Sequence, residues 1–174
     1  MISPYKSEAP LKFSKAEKVA LLVVDIQKTY YSSNMAIKTN FPNLPANVKK
    51  LLKVCRHLEL EVIHIRANYL FNKSPFLPHF HKLNPSIPQE VEDIEAEPFA
   101  KEIRGEPVIR KWNWSGFEGT ELDDILKRKG ITTVLGCGLV TTRCVHHTMF
   151  GAFNAGYRTI LIADCCGDRS HERH

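Results

Sequence analysis

No Cys-x-x-Cys pair occurs anywhere in the 174-residue chain, so a structural zinc site has no thiolate frame to build on. Long apolar runs are also missing. The longest, Val19 to Val24, is six residues, far short of the ~20 that cross a bilayer. The opening Met-Ile-Ser-Pro-Tyr-Lys has no apolar signal-peptide core. Although 24 Lys and Arg exceed 19 Asp and Glu, giving a net charge of +5, the cations are scattered and form no block of the kind that grips nucleic acid. No Gly-x-Gly-x-x-Gly follows any strand-like segment, and there is no internal repeat or low-complexity tract. Five cysteines, with Cys165 and Cys166 adjacent, make an odd set without a disulfide framework. What remains is a cytoplasmic, reduced, single domain over 1–174, with a small molecule as its partner and with no nucleic acid, no membrane and no cofactor.

At 43% hydrophobic and 25% charged, the chain has the composition of an ordinary globular domain. Residues 1–17 are polar and proline-containing and read as a surface arm. Val19–Asp25 is a continuous β-branched run, the signature of a parallel strand covered on both faces. Further strands are expected at Glu61–Arg66, Glu106–Lys111, from Ile131 to the glycines 136 and 138, and at Arg158–Asp164. Between them, Ala46–His57 places Val48, Leu51, Leu52 and Cys55 on one helical face. Thr120 with Asp123 has the spacing of a capping box ahead of Leu122, Ile125 and Leu126. Residues 68–98 form a long proline-rich segment, more often a lid than padding at this length. This alternation predicts an α/β fold: a three-layer α/β/α, Rossmann-like, mainly parallel sheet of five to six strands. The chain stops at His174 soon after the fifth strand, where a covering helix is expected and appears missing.

The stretch from Ile131 to Tyr157 holds the chemistry. A buried strand runs out in glycines, and a helix closed by Gly156 follows. Cys144 sits between them near the first helical turn. Free backbone N–H groups and the helix dipole there bias a thiol toward thiolate and offer donors for an oxyanion. A small buried hydrophobe is the competing role for such a cysteine. Asp25 ends the first strand and Lys111 the third. In a parallel sheet the three strand ends share one edge. There Asp25 can serve as base and then acid, Lys111 as a fixed positive charge, and Cys144 as the nucleophile. Capping of the next turn is the competing role for Asp25.

With these residues in place the chain resembles the isochorismatase-like cysteine hydrolases, a superfamily that includes nicotinamidases, carbamoylsarcosine- and ureidoacrylate-type amidohydrolases and isochorismatase itself. The matching pieces are Val-Val-Asp25-Ile-Gln27 with Tyr30, Val-Ile-Arg-Lys111 with Ser115-Gly-Phe117 and Thr120-Glu-Leu122, and Gly138-Leu-Val-Thr141-Thr-Arg-Cys144-Val. Gly156-Tyr157 and Ala163-Asp164 through His174 also match. The resemblance implies an Asp25–Lys111–Cys144 triad. It also implies a cis peptide between Leu139 and Val140 that turns the Val140 N–H toward that of Cys144 as an oxyanion hole. Gln27 and Thr141 fall on the matched motifs and are expected to line the substrate site.

Departures narrow the expectation. Nicotinamidases of this superfamily usually carry an Asp-x-His metal pair after the second strand, where this chain has Ala67-Asn-Tyr-Leu, so no metal is expected; His79 and His81 read as exposed loop histidines. The expected activity is hydrolysis of a small amide or ureido C–N bond through an acyl-enzyme, in a homo-oligomer (dimer or tetramer). The alternatives are an isochorismatase-type vinyl-ether hydrolase and a shortened, inactive binding or oligomerisation subunit. Trp112, Trp114, Phe117 and Tyr30 are expected to wall a planar substrate. Arg66, at the end of the second strand, is expected to pair with a substrate carboxylate. Packing under the 68–98 segment, or an internal ion pair for Arg66, is the competing arrangement.

Overall fold

The computed structural model describes residues 12–83 and 94–174. Residues 1–11 of the expected arm and 84–93 of the expected lid therefore lie outside the described residues.

Five parallel strands form one sheet: β1 (Val19–Val24), β2 (Glu61–Ala67), β3 (Val108–Lys111), β4 (Thr133–Leu139) and β5 (Arg158–Gly167), in the order β3-β2-β1-β4-β5. The period-2 alternation of a strand splits β1 between two cores. Ala20, Leu22 and Val24 pack with Leu122 and Leu126 of α4 (Leu122–Arg128) and with Met149 and Ala152 of α5 (His146–Asn154). Leu21 and Val23 pack with Ile37 of α1 (Met35–Asn40) and with Leu44, Val48, Leu52 and Cys55 of α2 (Leu44–His57). The result is the expected three-layer α/β/α. Each such aliphatic side chain taken fully from water contributes about 1.5–3 kcal/mol, which is why the central strand needs no polar residue until its end.

The chain lays β2 and β3 on one side of β1, then returns to place β4 and β5 on the other. Open α/β sheets bind ligands at such a reversal, outside the carboxyl ends of the strands. Register makes those ends coincide: Val24 pairs with both Ile65 and Gly138, and Ala67 pairs with Lys111. Gly138 has φ +129°, and a Cβ there would lie 1.9 Å from the Val24 carbonyl oxygen, so only glycine lets β1 and β4 close up at this level.

Two local expectations are corrected, and one short helix is added. The segment read as irregular over 68–98 contains a helix, α3 (Leu77–Leu83), with Pro78 in its first turn, where a missing N–H costs nothing. The capping box at Thr120 does not form. Thr120 Oγ1 instead accepts from the Leu122 N–H (3.2 Å), and Asp123 turns to Lys127 (2.6 Å) and the Tyr157 hydroxyl (2.8 Å). A short helix, α1, precedes α2, its start capped by Asn34 accepting from the Ile37 N–H.

Candidate active site

Asp25 follows directly on β1 and takes φ +50°, a left-handed conformation that Asp tolerates better than most residues. Its backbone N–H still reaches the Ile65 carbonyl (2.8 Å), so the chain turns without leaving the sheet. Lys111 closes β3 with its side chain wholly buried. An ammonium has three donors and no acceptor, and Nζ has three oxygens around it: Asp25 Oδ2 at 2.9 Å, the Tyr69 hydroxyl at 3.0 Å and the Asn113 carbonyl at 3.0 Å. Cys144 lies in a single π-helical turn, Thr141–Val145, that joins β4 to α5. Its sulfur is 3.3 Å from the Tyr69 hydroxyl. Such turns inside helices recur at functional positions.

The Leu139–Val140 peptide is cis. Among the described residues the Val140 N–H donates no hydrogen bond.

These groups open into a cleft of about 70 Å³. Asp25, Cys144, Leu139 and Val140 form its floor, Tyr30, Tyr69 and Trp114 its aromatic walls, and Arg143 and Arg169 its cationic edge. Two buried polar features point to unused capacity. Neither Asp25 carboxylate oxygen receives an aligned hydrogen bond among the described residues, although Lys111 stands at ion-pair distance, and the Tyr30 hydroxyl is buried without a partner.

The electrostatics correct one expectation. Burial pushes the Cys144 thiol up to about 12, and the Asp25 charge adds to this, while Lys111 and the Tyr69 hydrogen bond pull it down. Desolvation and the Asp25 charge together outweigh the downward pull, which favours the neutral thiol over the thiolate. Burial alone would lower Lys111; the Asp25 charge, with Cys144, outweighs it and holds the ammonium above its ordinary value.

The predicted residues divide. Asp25, Lys111 and Cys144 come together, with Leu139, Val140, Tyr30 and Trp114 around them. Gln27 does not face the cleft: its buried amide donates to the Ala67 carbonyl (3.1 Å) and accepts from the Ala67 N–H (2.8 Å), splicing β1 to β2. Arg66 is buried against Glu102, the competing ion pair. Trp112 lies under the Lys73 ammonium (4.6 Å) and Phe117 packs near Tyr157. Thr141 bonds His174 Nδ1 (2.8 Å) and borders a separate groove of about 430 Å³ with Phe150, Phe153 and Leu161.

Four groups were not anticipated: Tyr69, the Asn113 carbonyl, Arg143 and Arg169. An aromatic just past the end of β2, at the edge shared by the other functional groups, was the available signal for Tyr69. Arg143 directly precedes the cysteine and lies 5.4 Å over the Trp114 ring. Among the described residues no group of three or more His, Cys, Asp or Glu could hold a metal ion, and His81 sits edge-on to Phe71. No helix of the described residues is long and apolar enough to cross a membrane.

Comparison with known proteins matches the Isochorismatase domain model over residues 19–174. An isochorismatase family protein of Bacillus subtilis, YrdC, is 33% identical over 150 residues, covering 85% of this chain and 73% of the relative. Maleamate amidohydrolase of Pseudomonas putida is 28% identical over 169 residues, covering 90% and 76% respectively. Among solved structures, N-carbamoylsarcosine amidase of Thermoplasma acidophilum superposes with a TM-score of 0.75 at 26% identity, covering 87% of this chain and 84% of that one. The chain belongs to the isochorismatase family and is a hydrolase.

Proposed function

We propose that this isochorismatase-family chain is a cysteine amidohydrolase that cleaves a small amide or ureido C–N bond through an acyl-enzyme, with Asp25, Lys111 and Cys144 as its triad. The observation that carries this is the ion pair of Lys111 with a carboxylate that retains free acceptor capacity, beside a thiol in the same cleft. A neutral thiol needs a base, and Asp25 is a charged acceptor with lone pairs to spare.

Asp25 takes the Cys144 proton as Sγ attacks the carbonyl carbon. The oxygen gains negative charge toward the Val140 and Cys144 N–H groups, and the tetrahedral adduct collapses by breaking the C–N bond. The protonated Asp25 gives its proton to the departing nitrogen. Water then attacks the thioester, returning one proton to Asp25 and from there to sulfur, and releases the acid. Lys111 stays charged throughout, a fixed cation at ion-pair distance from the carboxylate.

Substrate preference follows from the cleft. Trp114, Tyr30 and Tyr69 suit a flat group, and the guanidiniums of Arg143 and Arg169 suit a carboxylate at its far end. The maleamate and N-carbamoylsarcosine activities of the relatives agree with an amide or ureido bond as the target. Free cysteines fit a reduced cytoplasmic setting. Exposed Phe150 and Phe153 on α5 are the surface a homo-oligomer would cover, which sedimentation at micromolar concentration checks.

The test is ammonia or amine release from a panel of small amides and ureido acids, with mass analysis of quenched enzyme. Release by the native chain, loss in Cys144→Ala and an acyl adduct on the Cys144 peptide are expected. Turnover of a vinyl ether with every amide untouched would overturn the assignment.

A further inference from the structure

We propose that Tyr69 is a positioning residue of this reaction: its hydroxyl fixes the direction of the hydrogen-bond chain at Cys144, so that the thiol proton can leave only toward Asp25. The inference rests on the triad proposed above and adds a fourth group to it.

Lys111 can only donate, so at 3.0 Å its Nζ must be the donor and the Tyr69 oxygen the acceptor. A phenol has one proton, and with its oxygen turned to Lys111 that proton is free for the other neighbour, Cys144 Sγ at 3.3 Å. Either atom of this contact could donate; we assign the phenol proton to sulfur, which leaves the Cys144 S–H to point elsewhere. The Asp25 carboxylate, lacking any aligned donor among the described residues, is the charged acceptor in the same cleft. Three sides of a ring are in place, Lys111 to Tyr69, Tyr69 to Cys144 and Lys111 to Asp25, and the transfer of the thiol proton to Asp25 is the side that the reaction closes.

Tyr69 keeps its proton throughout. When Cys144 loses its proton to Asp25 and the Sγ–C bond forms, the phenol goes on donating to sulfur and carries the Lys111 charge toward it. In agreement, the Tyr69 hydrogen bond is one of the influences that pull the Cys144 thiol down against burial and Asp25. The phenol's own ionisation is pushed well up by burial and by the neighbouring Cys144 and Asp25, so it acts as a donor and never as the base.

The fold holds this ring in place. Tyr69 is buried, edge-on to Phe76 at 5.0 Å. The turn after it is clamped by Ser74, whose Oγ accepts from the Leu70 N–H (3.1 Å) and whose N–H donates to the Leu70 carbonyl (2.7 Å). On the other side the Asn68 N–H continues the β2–β3 ladder to the Lys111 carbonyl (2.9 Å). A phenol required only for bulk would need none of this polar alignment.

The experiment is Tyr69→Phe, which keeps the ring and removes the hydroxyl. Expected are a kcat lower by about 10- to 100-fold with KM within about threefold, as for loss of a hydrogen bond to a developing charge. Iodoacetamide should label Cys144 about tenfold more slowly at a fixed pH near 8, because less thiolate forms. If the variant is poorly folded by circular dichroism, site-specific replacement of the Tyr69 phenol by its 3-fluoro analogue keeps the shape and strengthens the donor. Faster labelling then supports the inference, and unchanged labelling counts against it. Native-like kcat and labelling in Tyr69→Phe, while Cys144→Ala is inactive, overturn the role of Tyr69 alone. Undiminished turnover in Cys144→Ala overturns the triad itself.

Discussion

Arg56, His64 and Glu106 make one partly buried polar cluster where α2 covers the sheet; Asp25, Lys111, Tyr69 and Cys144 make another, buried throughout, at the strand ends. Both set a carboxylate against a cation. In the first, both Glu106 oxygens are used: Oε1 accepts from Arg56 Nε (2.7 Å), and Oε2 takes Arg56 Nη2 (2.8 Å), the Ile103 N–H (3.0 Å) and the His64 ring (2.9 Å). In the second, Asp25 has a cation at 2.9 Å and, among the described residues, no aligned donor, with the Cys144 thiol and the unpartnered Tyr30 phenol lining the same cleft. A fully saturated cluster can only hold its parts together. One with acceptor capacity left over can take a proton. On the proposed mechanism this difference separates a joint from a reaction centre, although each sets a carboxylate against a cation.

Substitutions should split the clusters cleanly. Cys144→Ala or Asp25→Asn should lower turnover by about 10³-fold or more, while the melting temperature changes by no more than about 2 °C. Kinetics and calorimetry on the same preparations decide it, and active Asp25→Asn would erase the distinction. Glu106→Ala should do the reverse. Stranding Arg56 and His64 costs about 3 kcal/mol, a fall of about 6–10 °C in melting temperature for a chain of this size, with kcat of the folded fraction retained.

Acid should reach the saturated cluster through Glu106. Burial alone would raise its carboxyl, but Arg56, the Ile103 N–H and His64 outweigh that and hold it at about 2 instead of 4.5. A lowered folded-state value means the unfolded chain binds this proton more readily. The contribution is therefore complete above pH 4.5 and is lost as pH falls toward 2; on the order of 2–3 kcal/mol should vanish over that window. Urea titrations at pH 6 and pH 3 measure it, and Glu106→Gln should flatten the difference.

The smallest effect concerns the two arginines that sequence confuses. Arg143→Ala should raise KM about tenfold for a carboxylate-bearing amide and little for its neutral analogue. Arg66→Ala should leave that ratio unchanged, because its guanidinium is committed to Glu102. Equal responses of the two variants would return Arg66 to the substrate site.

These contrasts also mark where sequence is readable. β1 announces itself because burial on both faces demands an unbroken apolar run, and Asp25 stands out because it ends that run. Lys111 and Cys144 are legible for the same reason, as strand ends in a parallel sheet. Gln27 and Arg66 were misassigned because proximity to a strand end does not tell which way a side chain turns. The left-handed Asp25 resets direction for Gln27, and in β2 successive side chains point to opposite faces. Pro78 hid α3 because proline reads as a breaker unless the helix start is already known. α1 buries only Ile37, which leaves no periodicity to detect. The resting state of Cys144 was misjudged because helix-end position is visible in sequence and desolvation is not.

The Gln27 splice carries a consequence for traffic. Its amide binds β2 as a backbone unit would, and the segment around it is stitched further: the Lys28 N–H to the Glu95 carbonyl (3.0 Å), the Glu97 N–H to the Ile26 carbonyl (3.1 Å), and Glu97 Oε1 accepting from both the N–H and the hydroxyl of Ser32. These bonds sew the segment after β1 to the end of β2 and to the chain around Ala96. Of the residues that line the cleft, Arg169 is exposed and Arg143 half-buried, held by ring contact with Trp114 rather than by a ladder. A molecule arriving from solvent would meet these guanidiniums at the exposed margin of the cleft.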